Sequence, residues 1–218
     1  MSNVFNKTSL AMRFLSGLGA LIIVNILFLI SSIPIFTIGA SLTALYRVTF
    51  EIHMGNDPFV IRDYFRYFKE NFKQATLVFI PSLIIGLIWI GNIYIIYHNL
   101  DESWRWIQYP IIVLLVALVA VSIYIYPMIA LYEQKTTKMI KDSLLLSIGN
   151  FPVTFFIVAT YVGKYLLYDL IPFMGIVMLS LYFFIGFAFD SWFFGFFINR
   201  AFKIEKPKED REREVNAR

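Results

Sequence analysis

The chain has 218 residues, of which 59% are hydrophobic, 18% aromatic and 16% charged, with a net charge of +4 and no cysteine. Soluble domains run at about 45–50% apolar and about 25% charged, so one water-facing core does not accommodate this composition and lipid is the expected solvent. Without cysteine there are no disulfides, thiolate metal sites or cysteine nucleophile.

A membrane-crossing helix needs roughly 20 apolar residues to cover a ~30 Å hydrocarbon layer. No charge lies between Arg13 and Arg47, a stretch too long for one crossing. Pro34 and Gly39 divide it, which predicts a span over 14–33 and a second, short or re-entrant one over 36–53. The charge-free stretches Gln74–Leu100 and Trp106–Tyr132 predict two more. Spans over 151–170 and 173–199 follow, each with one charge inside it, Lys164 and Asp190. The first apolar run is longer than the 7–15 residues of a signal-peptide core, so no cleaved leader is expected.

Six segments place both termini on one side. Lys7, Arg13, Arg62, Arg66, Lys69, Lys73, Lys135, Lys138, Lys141 and the basic residues of the tail from Arg200 then share that side, and Arg105 alone falls opposite. Lys and Arg mark the cytoplasmic face, so both termini are expected in the cytoplasm, with Trp104, Trp106 and Tyr109 in the outer aromatic belt. The expected fold is all-α and polytopic: a membrane domain over 1–200 and a charged cytoplasmic tail over 201–218.

Between the second and third spans, Arg62, Arg66, Lys69 and Lys73 recur at helical spacing, and so do Ile61, Phe65, Phe68 and Phe72. Asp57-Pro58 supplies an N-cap and a first-turn proline. The spacing predicts an amphipathic cytoplasmic helix over 58–73. A related segment lies 79 residues on: Ile61, Arg62, Asp63, Asn71 and Phe72 correspond to Ile140, Lys141, Asp142, Asn150 and Phe151. Spans two and three would then form one hairpin and spans four and five a parallel copy, as in transporter folds with internal repeats. The basic faces, with Lys138 and Lys141 in the second copy, suit either anionic headgroups or a soluble partner.

No residue set for catalysis, cofactor or metal emerges. His53 and His98 fall at opposite membrane faces, and no zinc-protease, nucleophile-elbow or phosphate-loop pattern is present. Nothing points to nucleic acid. Asn25 and Asn92 are polar groups inside spans, where interhelical hydrogen bonds are their usual use, and Ser82 with Gly86 forms a small-residue pair. Tyr182, Gly186 and Asp190 share a helical stripe, so that face is expected against protein. Charges within lipid are costly and by default functional. A depth count at 1.5 Å per residue separates Lys164 from Asp190 by about 15 Å, too far for direct pairing, and lets Lys164 reach outward towards Asp169.

The blocks I-P-I-F-T-I-G-A-S-L-T-A-L-Y-R-V at 33–48 and I-R-D-Y-F-R-Y-F-K-E-N-F-K-Q-A at 61–75 resemble the YesL family of bacterial integral membrane proteins, over roughly residues 5–200. That resemblance implies a Gram-positive plasma membrane and a setting among carbohydrate-utilisation proteins, often beside sugar ABC importers. It supplies no catalytic residues, and the charged tail has no counterpart in it. The expected function is a non-catalytic auxiliary subunit that assembles with the permease subunits, and with the ATPase, of such an importer. Its membrane contact would be the Tyr182/Gly186/Asp190 stripe or the first two spans. The alternative is a small autonomous transporter or channel using Asp190 and Lys164.

Overall fold

A computed structural model describes residues 2–56, 58–170 and 172–202. The Asp57 cap and the tail lie outside the described residues, as does the Asp169 side chain. The described residues form helices joined by short turns, with no strand among them. In chain order these are α1 (Ser2–Ser31), α2 (Ile38–His53), α3 (Val60–Asn99), α4 (Gln108–Leu131), α5 (Thr136–Gly149), α6 (Phe151–Leu170), α7 (Pro172–Leu181) and α8 (Phe187–Ala201). A π-helical turn, Tyr182–Gly186, joins α7 to α8 without a break. By length and composition four helices are able to cross a membrane, or five if α5 and α6 count as one bent segment.

The shortest predicted span, α2, is the most enclosed helix. Its buried residues Gly39, Ala40, Ser41, Thr43, Ala44, Leu45, Val48 and Thr49 are mostly small, which lets neighbouring helices approach closely. A β-carbon on Gly39 would lie 2.7 Å from the Ala75 carbonyl oxygen and 2.7 Å from Phe79 Cβ. Helix α2 ends in a Schellman motif. Gly55 takes φ +79°, its N–H bonds to the Ile52 carbonyl at 3.1 Å, and the Asn56 N–H bonds to the Glu51 carbonyl at 3.0 Å.

The amphipathic segment expected to lie apart at the interface is instead the first half of α3, one continuous helix of 40 residues. No glycine or proline interrupts it between Val60 and Ile80, and Asp63 accepts a hydrogen bond from the Phe59 N–H at 2.9 Å in its first turn. Its packing face lies beside the apolar stripe and shares Phe68 with it. Val60, Tyr64, Tyr67, Asn71 and Ala75 turn inward, while Ile61 and Phe65 remain exposed. The Tyr64 hydroxyl explains the choice. It is fully buried and bonds to Ser31 Oγ at 2.6 Å, and Ser31 Oγ in turn donates to Ser41 Oγ at 2.9 Å.

That network joins the α1–α2 turn to the segment expected on the opposite membrane face. Beyond that network α2 runs antiparallel to α3, with Gly39 against Ala75 and Phe79 and Arg47 over the Tyr67 ring. The two related segments also differ in shape: α3 continues as one helix, whereas α5 is bent by 88° from α6. Local features nonetheless correspond. Tyr64 and Ser143 are both fully buried, and Asn71 and Asn150 each donate to the carbonyl four residues earlier.

Helices α3 and α4 form an antiparallel pair. Gln74 Nε2 donates to the Gln134 carbonyl at 2.8 Å near one end, and Gly86 faces Leu118 further along. Three buried clusters hold the helices together. One centres on Val24, Leu45, Val48 and Tyr64, a second on Ile125, Ile129 and Met139, and a third on Tyr124, Ile157, Phe194 and Ile198.

Gly39→Ala forces its methyl against a backbone carbonyl, and overpacking of this kind costs about 1–3 kcal/mol. A lowered midpoint of thermal unfolding in detergent is the expected result.

Candidate functional site

The functional candidates inside the apolar region converge where α1, α6 and α8 meet the π turn. A π turn widens the helix by one residue and leaves backbone groups without their regular partners. Here the side chain of Asn25, fully buried on α1, supplies the missing bonds. Its Nδ2 donates to the carbonyls of Tyr182 at 3.0 Å and Phe183 at 2.9 Å, and its Oδ1 accepts from the Ala188 N–H at 3.0 Å. One amide thus uses its donors and its acceptor on a single irregular turn.

Gly186 sits under the Tyr182 ring. A β-carbon there would lie 2.7 Å from the ring, so only glycine lets the tyrosine fold across this turn. The Tyr182 hydroxyl reaches past Gly186 and donates to Asp190 Oδ2 at 2.6 Å. From α6, Lys164 Nζ donates to the Tyr182 hydroxyl at 2.7 Å and to both Asp190 oxygens, at 2.8 and 2.9 Å. The ammonium also lies 5.0 Å from the centre of the Tyr161 ring, 5.2 Å from that of Tyr182 and 5.8 Å from that of Phe194. Aromatic faces attract a cation at such distances, more so where water is excluded.

Direct pairing of Lys164 with Asp190 corrects the depth count from sequence. That count treats both helices as straight and upright from a common turn. Packing sets a different register, in which the Tyr161 ring meets Phe194 at 5.7 Å and Lys164 meets Asp190 one turn further along. The stripe of Tyr182, Gly186 and Asp190 therefore meets protein within this chain and is not presented to another one.

The three N–H donors of Lys164 have three acceptors, and Asp190, 8% exposed, accepts from Lys164 and Tyr182. The pair is neutral overall and its hydrogen bonds are closed on one another. As chemistry, this is a clamp holding α6 to α8 through a bond network that is strong in a low-dielectric setting.

The basic residues form no such cluster. Arg62, Arg66, Lys69, Lys73, Lys138 and Lys141 are all exposed. Arg66 pairs with Asp63 at 3.1 Å and donates to the Tyr67 hydroxyl at 2.8 Å; the other five make no ion pair among the described residues. Sequence reasoning missed a cavity of about 680 Å³ beside them, lined by Arg47, Tyr67, Gln74, Tyr132, Gln134 and Lys135. Arg47 pairs there with Glu51 at 3.2 Å and lies 5.3 Å from the Tyr67 ring centre. No group of metal-ligating side chains occurs among the described residues.

Removing one member of a buried ion pair costs about 3–5 kcal/mol, whereas replacing both with apolar groups is often neutral. Lys164→Met and Asp190→Leu singly are therefore expected to lower thermal stability in detergent strongly, and the double variant to recover most of the loss. Additive losses would show that the two side chains do not act as a pair. Asn25→Leu is expected to cost about 2 kcal/mol by the same assay, because it strips partners from three backbone groups, one of them buried.

A family model described as "Protein of unknown function, DUF624" matches residues 21–93. The match includes Asn25 and the Ser31–Ser41–Tyr64 network and ends before Lys164 and Asp190. No curated protein and no solved structure matches the chain.

Proposed function

We propose that this chain is an auxiliary membrane subunit, without catalytic chemistry of its own, that assembles with a carbohydrate ABC importer and docks through α5. The observation that carries this reading is the form of α5. It is a separate helix bent by 88° from α6, and Ile140, Leu144, Leu145 and Ile148 are exposed along it beside Lys138 and Lys141. A short helix set across the end of a bundle, with apolar and basic side chains exposed, is the form a groove-binding partner recognises. The sugar-importer setting comes from the resemblance of residues 33–48 and 61–75 to the YesL family.

In this reading the protein lies in a bacterial cell membrane. Its basic segments and both termini face the cytoplasm on the bias of Lys and Arg. Residues 36–53 then form a short second crossing, since with that segment re-entrant only five spans remain and Lys7 and Arg13 fall outside. The correspondence of Tyr64 with Ser143 and of Asn71 with Asn150 supports two related helical units, of which the second has been bent into the docking helix.

The rival reading, an autonomous transporter using Asp190 and Lys164, needs a polar group free to meet a solute. The closed bonds between those two side chains and Tyr182 weigh against it.

Gentle purification of the tagged protein at native expression is expected to bring down the importer's permease subunits and ATPase in stoichiometric amounts. Lys138→Glu combined with Lys141→Glu is expected to lower that recovery at least fivefold while leaving the chain's own thermal stability unchanged. Recovery of the chain alone, from cells whose importer is equally stable and active without it, would overturn the assignment.

A further inference from the structure

The outer half of α3 packs on one side only. Gly86 faces Leu118 of α4 there. On the opposite side Leu77, Ile84, Ile88 and Ile95 are 64%, 51%, 56% and 54% exposed, and their spacing places them on one helical face. Within that face lie Gly91 and Asn92. A β-carbon added to Gly91 would meet nothing within 4 Å. Asn92 is exposed and makes no hydrogen bond among the described residues.

Exposed isoleucines alone specify nothing in a bilayer, because lipid chains solvate them as well as another helix does. The amide of Asn92 is different. It lies roughly 10 Å inboard of the helix end, at about 1.5 Å for each of the seven residues to Asn99, below the belt formed by Tyr97, His98 and Trp104. An unbonded amide at that depth favours a partner that offers both an acceptor and a donor. We propose that this face of α3 pairs with the same face of a second copy of the chain, through Asn92 on a two-fold axis.

Two observations select a second copy as the occupant. An amide is self-complementary: each side chain donates to the other's oxygen and accepts from its nitrogen, so an isologous contact satisfies both. The face also carries no charge, since none occurs between Lys73 and Asp101, so identical copies meet without repulsion. Gly91 leaves the backbone uncovered beside the amide, where close approach is needed. The inference rests on α3 crossing the membrane and is independent of the importer reading.

The chain has no native cysteine, so single-cysteine variants report directly. The purified variants Ile88→Cys, Ile95→Cys and Ile90→Cys, each reconstituted alone into liposomes of neutral phospholipid, are oxidised with copper phenanthroline. Ile90 is as exposed as Ile95, at 54%, but points away from the Asn92 face, and serves as the control. Ile88→Cys and Ile95→Cys are expected to give disulfide dimers at least five times faster than Ile90→Cys. Adding Asn92→Val is expected to slow Ile88→Cys at least threefold with no change in the thermal stability of the detergent-solubilised chain, and Asn92→Gln to preserve most of the rate. Equal rates at the three positions, or no effect of Asn92→Val, would overturn the proposal. Because no importer is present, this outcome is separable from the fate of the docking assignment.

Discussion

The geometry of the intramembrane site depends on the amide of Asn25. An α-helix advances about 100° per residue, so residues eight apart, such as Tyr182 and Asp190, drift about 80° out of line. A π turn absorbs one extra residue and removes most of that drift. Only with the turn present does the Tyr182 hydroxyl fall onto Asp190, and only then does Asp190 face Lys164. The turn costs backbone hydrogen bonds, and in an apolar interior those losses are severe unless other groups replace them. Asn25 replaces them from a different helix, so the position of α1, the phase of α8 and the ion pair to α6 form one coupled arrangement.

The same constraint operates elsewhere in the bundle. Tyr64 would be a costly hydroxyl to bury, yet it is the centre of α3's packing face because Ser31 and Ser41 receive it. Thr49 and Ser191 share a hydrogen bond at 2.7 Å between α2 and α8, and Tyr124 and Thr154 share one at 2.9 Å between α4 and α6. Each of these pairs joins helices far apart in sequence. In a medium where apolar surfaces do not drive helices together, such bonds and close packing of small residues carry the specificity of assembly.

These long-range bonds also explain what was legible in the sequence. Apolar stretches are read from composition, and the helices match Trp106–Tyr132, 151–170 and 173–199 to within a few residues, whereas α3 begins at Val60, well before Gln74, and the number of crossings does not follow from them. The stripe of Tyr182, Gly186 and Asp190 was legible because the residue types are unusual inside a phenylalanine-rich run. Its partner was not. The register of α6 against α8 is set by side-chain packing, and counting residues from a turn carries no information about tilt or slide. The face of α3 that packs was likewise hidden, because periodicity identified the basic and the apolar stripes, and the face that α2 covers lies beside the apolar stripe and contains two tyrosines and an asparagine. A π turn leaves no mark in the sequence beyond the glycine that tolerates it.

Where polar groups are closed and where they are open divides the molecule by role. Around α1, α6 and α8 the polar atoms of Asn25, Lys164, Tyr182 and Asp190 have partners within the chain, so this half acts as a rigid frame and offers little to a passing solute. The outer half of α3 and the exposed face of α5 are the reverse. They carry large exposed apolar side chains, and at Asn92 a polar group with no hydrogen bond among the described residues. Difficult charges satisfied internally, with these surfaces left open, are what the proposed role in an assembly calls for. The two surfaces also lie on different elements, α5 beside the α5–α6 bend and α3 along the bilayer, so neither contact excludes the other. Pairing along α3 would double the number of α5 helices in one assembly, and two linked docking sites hold a partner more firmly than either alone wherever the geometry lets both engage.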